Sequence, residues 1–234
     1  MEVIRLKKPF IWETYEVDQP QSHQLKADEA LVKVHKMGVC GTDLHAFKGN
    51  QPFFNYPRVL GHELAVEVME VGNEVGNVRV GDRCSVEPYY NEKISQPVKN
   101  GKPNCGEYLR VLGVHVDGGM LQQMILPAHL LHPSNILSNE QLALIEPLAI
   151  GCHAVDRADL SHEDTVLVIG AGPIGLAATQ FAQLSGARVL VMDISEEKLK
   201  KTQAITNVQE TLFVSRNTEE DLKELLNVDL TKVI

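Results

Sequence analysis

The pattern of apolar and polar residues along the chain changes near residue 160. Before that point, apolar residues alternate with polar ones in short stretches, at 30–39, 64–72 and 78–88, which Gly and Pro interrupt. An alternation of period two is typical of half-buried β-strands. The first part is therefore predicted to be a β-rich domain, a closed or nearly closed barrel with long loops, in which the polar stretch 91–104 forms a surface lobe.

Beyond residue 160 the predicted strands are apolar and alternate with helices. Thr165–Ile169 is a short apolar run, as expected for a strand that is buried on both faces of a parallel sheet. The helix that follows begins at Pro173 and ends before Gly186. The alternation continues with a strand at 188–193, a helix capped by Ser195, a strand at 211–215, a helix at 219–226 and the opening of a fourth strand at 230–234. This order predicts a doubly wound α/β sheet.

The two patterns predict two domains, a β domain over residues 1–155 and an α/β domain over residues 156–234. A doubly wound sheet has about six strands, and only the first strands are present here. The fourth strand lies beside the first in such a sheet, so Thr165–Ile169 is expected to have little or no partner on that side. Because a bare apolar edge invites pairing with another chain, this chain alone is expected to aggregate or to be unstable.

The composition excludes several classes of function. Apolar residues make up 44% and charged residues 23%, an ordinary content for a folded domain. The formal net charge of −9 argues against nucleic acid and anionic membranes as partners, since both require clustered Lys and Arg. The sequence has no apolar run that could span a bilayer and no secretion signal at its start, which predicts a cytoplasmic protein. The four cysteines are spread too widely for a disulfide framework.

A glycine motif follows the first apolar strand of the second domain. The predicted dinucleotide-binding residues are Gly170, Gly172, Pro173, Ile174 and Gly175, together with Asp193 at the tip of the next strand. The first glycine permits a tight turn, the second lets the backbone approach a pyrophosphate, and the third lets helix and strand pack closely. The helix N-terminus offers free N–H groups to the phosphates. The carboxylate of Asp193 would bind the ribose hydroxyls and repel a 2′-phosphate, which favours NAD over NADP. The alternative is a glycine-rich turn without a ligand.

Three short segments of the first domain carry potential metal ligands. They are Gly38–His45, Leu60–Glu63 and Ile145–Leu148. Catalytic zinc sites draw ligands from distant parts of a chain, so the spacing does not join these segments into one site. Taken alone, Cys40 could equally be a core thiol, His62 a loop histidine and Glu146 a carboxylate at a helix start. The residues by themselves leave the metal undecided.

The order of motifs resembles one enzyme family. GVCGTDLH, YPRVLGHE, VGDR, IEPLAIGCHA and GAGPIG follow one another as in the zinc-containing medium-chain dehydrogenase/reductase family, and most closely as in its sorbitol, threonine and sugar-acid dehydrogenases. The resemblance implies a GroES-like β-barrel that carries the metal, followed by a Rossmann domain. It further implies oxidation of a secondary alcohol on a small polyol, sugar acid or threonine-like substrate with NAD, by a homodimer or homotetramer when full length.

The resemblance also implies residue roles. Cys40 and His62 match the thiolate and imidazole ligands of zinc. Glu63 and Glu146 match two carboxylates of the site, and Glu146 is preferred as the direct or water-bridged ligand, with Glu63 close by. Thr42 matches the hydroxyl residue of the proton relay, and His45 matches the histidine beyond it.

One departure from the family concerns its second, structural zinc. The four cysteine positions of that lobe are occupied here by Glu92, Ser95, Val98 and Gly106, and Cys105 is merely adjacent. We therefore expect one catalytic zinc and no structural zinc.

Two alternatives to a complete dehydrogenase follow from the same comparison. Relatives continue beyond the point where this chain stops, so the chain could be a truncated, non-catalytic product that keeps zinc or partner binding, and negligible dehydrogenase activity is expected of it alone. A metal-free quinone reductase of the same superfamily is disfavoured because that branch lacks Cys40, His62 and Glu146.

Overall fold

The chain folds into two compact units, Met1–Glu146 and Pro147–Ile234. The computed structural model describes residues 1–52, 54–215, 218–226 and 230–234. The predicted boundary between residues 155 and 156 falls inside the helix Ile145–Ala158, and the second unit begins earlier. The reason is packing, because Val155 on this helix belongs to the same buried cluster as Val166 and Ala178 of the second unit.

The first unit is built mainly from antiparallel strands. They are β1 (Glu2–Lys8), β2 (Ile11–Glu16), β3 (Glu29–Met37), β4 (Leu64–Val71), β5 (Arg83–Val86), β6 (Tyr89–Asn91), β7 (Leu109–Val111), β8 (Gln123–Pro127) and β9 (Leu131–Pro133). The helices of this unit are α1 (Gly41–Lys48), α2 (Gln96–Lys99) and α3 (Asn139–Ala143), with 3-10 turns at Ser22–Gln24, Pro103–Cys105 and Ala128–Leu130. The strands predicted within 30–39, 64–72 and 78–88 are confirmed, the last only over β5.

The main sheet of the first unit has five strands in the order β8-β3-β4-β5-β9. Its inward-facing residues form the largest buried cluster of the unit, including Val32, Val66 and Leu126. Two hairpins, β1-β2 and β6-β7, form separate two-stranded sheets. The second hairpin lies at the base of the stretch 91–104, which we call the polar lobe.

The second unit is the predicted α/β sheet. Its strands are β10 (Thr165–Ile169), β11 (Arg188–Asp193), β12 (Glu210–Phe213) and β13 (Lys232–Val233), and its helices are α4 (Ile145–Ala158), α5 (Pro173–Leu184), α6 (Glu196–Thr206) and α7 (Thr218–Leu226). The strands are parallel in the order β12-β11-β10-β13, so the fourth lies beside the first as predicted. Among the described residues, the structure has no helix that combines the length and apolar character needed to cross a bilayer.

The expectation that Thr165–Ile169 has little or no partner on the side of the fourth strand is wrong, because β13 pairs with it there. The backbone N–H of Thr231 donates to Thr165 at 3.0 Å and that of Ile234 to Leu167 at 2.9 Å, while Ile169 donates back to Ile234 at 2.8 Å. Parallel strands exchange hydrogen bonds at alternate residues, so a few residues suffice to pair most of a short strand. The sheet edge therefore lies at β13, and β10 is paired on both sides.

Candidate metal and dinucleotide sites

Three of the predicted zinc ligands meet in the first unit. One ligand atom each of Cys40, His62 and Glu63 lies within 4.8 Å of the others, and we call this set the ligand group. His62 and Glu63 are buried, and Cys40 is half-buried. A thiolate, an imidazole and a carboxylate are the ligand types that zinc takes in proteins.

The register of two strands brings the ligand group together. β3 and β4 are antiparallel, and Met37 at the end of β3 pairs with Leu64 at the start of β4. The backbone N–H of Gly38 then donates to the carbonyl of Glu63 at 2.8 Å and extends the pairing by one step. Cys40, two residues past Gly38, and His62, just before Glu63, are therefore neighbours although far apart in sequence.

Gly38 gives the Glu63 side chain its space. A Cβ atom on Gly38 would lie 1.9 Å from Glu63 Oε2 and 2.9 Å from Glu63 Cβ, so the Glu63 side chain would have to move away. Glycine is thus required where the carboxylate crosses the backbone. Sequence reasoning missed this role, although Gly38 opens the very motif that contains Cys40.

The segment that carries His62 is clamped by a distant loop. Three backbone N–H groups of that loop donate to the carbonyls before His62, from Gly118 to Val59 at 2.8 Å, from Met120 to Leu60 at 2.9 Å and from Gly119 to Gly61 at 2.9 Å. A fixed backbone on both sides restricts the imidazole, which is what a preformed metal ligand requires.

Asp43 is a further acidic group beside the ligand group, and sequence reasoning did not single it out. It is buried on α1, its Oδ2 accepts the Cys40 N–H at 2.9 Å, and its Oδ1 lies 3.9 Å from His62 Nδ1. Within the described part of the chain, neither Oδ1 nor Nδ1 has a hydrogen-bond partner. A carboxylate near the second nitrogen of a metal-binding histidine is a common way to orient the ring.

The surroundings of the ligand group favour the metal-binding thiolate of Cys40, but they favour the protonated forms of His62 and Glu63, with which a cation would compete. The neighbouring His62 lowers the pKa of the Cys40 thiol, against the effect of burial. Burial alone favours a neutral imidazole, but Cys40, Asp43 and Glu146 outweigh it and raise the pKa of His62. Burial raises the pKa of the Glu63 carboxyl, a cost that a bound cation would remove. The types of the three donor atoms and their closeness nevertheless fit a zinc ion.

Glu146 lies close to the ligand group without joining it. It is the second residue of α4, it is buried, and its Oε1 accepts a hydrogen bond from the Tyr89 hydroxyl at 2.6 Å. Burial and this acceptor raise the pKa of Tyr89 far above its usual range. The family resemblance favoured Glu146 as the direct or water-bridged ligand, with Glu63 close by, whereas the geometry brings Glu63 into the group and leaves Glu146 beside it.

The two predicted relay residues lie on α1, the helix whose N-cap is Cys40. Thr42 is half-buried, and its Oγ1 lies 3.7 Å from Cys40 Sγ. His45 is exposed, one turn further along α1. Residues three apart are neighbours on a helix surface, so the pair leads from the ligand group towards solvent.

The polar lobe is held by side-chain bonds at the positions where the family has cysteines. Glu92 forms an ion pair with Arg110 at 2.9 Å, and Ser95 Oγ accepts the backbone N–H of Glu107 at 3.3 Å. These contacts join the two arms of the lobe. That no structural zinc is bound stays a prediction.

The glycine loop of the second unit has the geometry that the motif predicts. Gly170 has φ of +109°, and a Cβ on Gly175 would lie 1.8 Å from the carbonyl oxygen of Gly170. A Cβ on Gly172 would meet no atom within 4 Å, which leaves open space at the N-terminus of α5. Pro173 is the first residue of α5, and Ile174 beside it is exposed. The loop is thus shaped to receive a pyrophosphate on free backbone N–H groups.

Asp193 has a second role that the sequence did not reveal. It ends β11, its Oδ2 accepts the Ala171 N–H at 2.7 Å, and its Oδ1 accepts the Ser195 N–H at 2.8 Å. The carboxylate therefore ties the glycine loop to the start of α6. Its two oxygens have about four acceptor positions in all, so room for ribose hydroxyls is left.

Models of two domain families match the chain. The alcohol dehydrogenase GroES-like domain matches residues 26–136, and the C-terminal domain of alanine dehydrogenase/PNT matches residues 152–231. The first match covers the main sheet and the ligand group, and the second covers the glycine loop and the strands β10, β11 and β12 of the parallel sheet.

Curated relatives include several dehydrogenases. L-galactonate-5-dehydrogenase of Escherichia coli is 42% identical over 80% of this chain and 54% of its own length. An uncharacterised zinc-type alcohol dehydrogenase-like protein of Haemophilus influenzae is 39% identical over 97% of this chain and 66% of its own length. The chain thus spans between about half and two thirds of these relatives.

Solved structures of two dehydrogenases are also similar to the chain. An alcohol dehydrogenase of Escherichia coli, RspB, in complex with NADH has a TM-score of 0.90 at 31% identity, covering 100% of this chain and 68% of that one. Galactitol-1-phosphate dehydrogenase of Escherichia coli has a TM-score of 0.88 at 28% identity, covering 97% and 65%. The chain has a GroES-like domain followed by part of a Rossmann-like domain, and the relatives and solved structures that it resembles are named as dehydrogenases. The chain therefore belongs to the medium-chain dehydrogenase/reductase family.

Proposed function

We propose that the protein is a zinc-dependent oxidoreductase that oxidises a secondary alcohol with NAD as the hydride acceptor. The observation that carries this proposal is the buried meeting of Cys40, His62 and Glu63, with ligand atoms within 4.8 Å of one another. Three protein ligands leave a coordination position for substrate, which is the usual arrangement of catalytic zinc.

The ligand group, Thr42 and His45 would carry out the acid–base chemistry of the proposed reaction. A zinc ion held by the ligand group would act as a Lewis acid that lowers the pKa of an alcohol bound beside it. Thr42 would accept the substrate's hydroxyl proton and pass it, through a ribose hydroxyl of the cofactor, to His45 and solvent. NAD, when bound at the glycine loop, would supply the hydride acceptor, and the products would be a ketone, NADH and one proton.

Cofactor choice is proposed to depend on Asp193. Its carboxylate at the tip of β11 suits ribose hydroxyls and opposes a 2′-phosphate, which favours NAD over NADP. The glycine loop would bind the pyrophosphate through the N-terminus of α5. RspB is bound to NADH, whereas a similar zinc-binding dehydrogenase of Sinorhizobium meliloti is bound to NADP, so the proposed choice depends on Asp193.

The substrate class is proposed from the relatives. They include dehydrogenases named for L-galactonate, L-threonine, L-idonate and sorbitol. All four are small molecules with a secondary hydroxyl group. A polyol, a sugar acid or a threonine-like compound is therefore the proposed substrate.

The test is to measure reduction of NAD and NADP by the purified full-length protein with these four compounds. We expect turnover with at least one of them, loss of turnover on zinc removal, and recovery on zinc addition. Cys40→Ser should lose metal and activity together, while Cys105→Ser, at an exposed cysteine outside the ligand group, should lose neither. A preference for NADP, or turnover that survives complete removal of metal, would contradict the proposal.

A further inference from the structure

Tyr89 links the polar lobe to the ligand group. It is the first residue of β6 and pairs with Val111 of β7 at the base of the lobe. Its side chain is half-buried, and its hydroxyl donates to Glu146 Oε1 at 2.6 Å. The hairpin thus delivers a hydrogen-bond donor to one specific carboxylate.

The bond from Tyr89 competes with metal coordination by Glu146. Glu146 is 7% exposed and lies near enough to the ligand group for its charge to act on His62 and Glu63. It is nevertheless outside the set of ligand atoms that lie within 4.8 Å of one another. A hydrogen bond to a buried carboxylate is strong, so it holds the side chain in one direction.

We propose that Tyr89 is a positioning residue whose hydroxyl holds the Glu146 carboxylate out of the metal's ligand set. One coordination position then stays open for an exchangeable ligand, whereas a fourth protein ligand would close it, as in structural zinc sites. This inference rests on the zinc site of the proposed function. Tyr89, the first residue of the β6-β7 hairpin, thus keeps the metal accessible to an exchangeable ligand.

Tyr90 provides a matched control on the same strand. Successive side chains of a strand point to opposite faces, and Tyr90 packs against the buried cluster of the main sheet. Tyr90→Phe therefore removes a hydroxyl group from the neighbouring residue without touching Glu146.

The test uses the protein loaded with Co²⁺, whose visible spectrum reports the ligand set, and azide as an exchangeable ligand. In Tyr89→Phe the freed Glu146 should enter the ligand set, so azide binding should weaken by about tenfold, an effect of the size seen when a hydrogen-bonded neighbour of a metal ligand is lost. The Co²⁺ spectrum should change, and Co²⁺ should leave more slowly to a chelator. Tyr90→Phe should match the unaltered protein in all three measurements.

Two further variants test the same inference at Glu146, and the second of them keeps Tyr89 and so does not depend on the folding of Tyr89→Phe. The double variant Tyr89→Phe/Glu146→Gln should regain the original azide affinity, because a neutral amide is a weak metal ligand. Glu146→Gln alone should keep its Co²⁺ and its azide affinity. A loss of Co²⁺ affinity in Glu146→Gln of about tenfold or more, or an unchanged spectrum and azide affinity in Tyr89→Phe, would overturn the inference. If the unaltered protein took up no Co²⁺ or Zn²⁺, the zinc site itself would fail, and the inference with it.

Discussion

The ligand group and the glycine loop are two candidate sites that the chain builds in opposite ways. The glycine loop is a contiguous stretch whose function depends on backbone geometry, including φ of +109° at Gly170 and the contact of Gly175 with the Gly170 carbonyl. The ligand group joins residues from the ends of β3 and β4, and its function depends on side chains. The residues of a local site all lie within one sequence motif. A distributed site depends on strand register and on neighbouring residues that lie outside any motif.

The largest effect is expected from a substitution of Gly38, which would disrupt the distributed site. Gly38→Ala would place a Cβ atom 1.9 Å from Glu63 Oε2 and force the carboxylate away from the ligand group. We expect zinc affinity to fall by about 10–100-fold, the range for lost support of a metal ligand. Competition with a chelator measures this affinity.

Gly41→Ala is the control for that variant. Gly41 begins α1, and a Cβ there would meet no atom within 4 Å. Its zinc affinity should match the unaltered protein. Equal losses in both variants would show that the effect comes from the glycine itself and not from Glu63.

The local site can be dissected by two glycine variants that should behave differently. In Gly172→Ala the new methyl group enters open space, so folding stability should stay unchanged while the dissociation constant for NAD rises by about tenfold, equivalent to ~1.4 kcal/mol. In Gly175→Ala the methyl group meets the Gly170 carbonyl, which should lower the free energy of unfolding by about 1–3 kcal/mol. Calorimetric titration and thermal unfolding separate the two effects. Identical behaviour of the variants would contradict the distinct roles.

The sequence predicted the local site almost completely and the distributed site in part. The strand, glycine loop and helix from Thr165 to Leu184 follow from periodicity and turn chemistry, and the structure agrees. Cys40, His62 and Glu63 were named through family resemblance, yet the choice between Glu63 and Glu146 needed the register of β3 and β4. The sequence predicted β13 beside β10 but underestimated how much of β10 it pairs with, because so short a strand carries little pattern.

The supporting residues of the distributed site were invisible for a physical reason. Asp43 and Tyr89 act through a single hydrogen bond or close approach to another side chain, and such a contact leaves no periodic signal. The second role of Asp193, which ties the Ala171 and Ser195 N–H groups, is of the same kind. The prediction of a ribose-binding carboxylate considered only the ligand.

A smaller effect is expected from Asp193→Asn. The amide oxygen still accepts one backbone N–H, so the loop should stay folded, while the charge that opposes a 2′-phosphate is lost. We expect the preference for NAD over NADP to narrow by about fivefold, the upper range for one exposed charge. Glu197→Gln, which removes an exposed charge from the first turn of α6, should leave the preference unchanged. The ratio of kcat/KM for the two cofactors decides between these outcomes.

The smallest effect concerns the pH dependence of the metal-free protein. Burial raises the pKa of Glu63, so this carboxyl binds its proton more tightly in the folded state than in the unfolded state. Its contribution to stability is therefore present below its unfolded pKa and is lost as the pH rises through its folded pKa. Metal-free Glu63→Gln should gain thermal stability over the unaltered protein as the pH rises from 4 towards 7, by about 1 kcal/mol or less. A difference in stability between the two proteins that does not change with pH would contradict a Glu63 that is buried and ionised.

X-ray absorption at the zinc edge of the purified protein tests the ligand group most directly. We expect one zinc per chain with a single sulfur ligand at about 2.3 Å, from Cys40, and nitrogen or oxygen ligands at about 2.0–2.2 Å. Elemental analysis of the same sample fixes the stoichiometry. Two zinc ions per chain, a coordination shell dominated by sulfur, or a shell without sulfur would contradict the account.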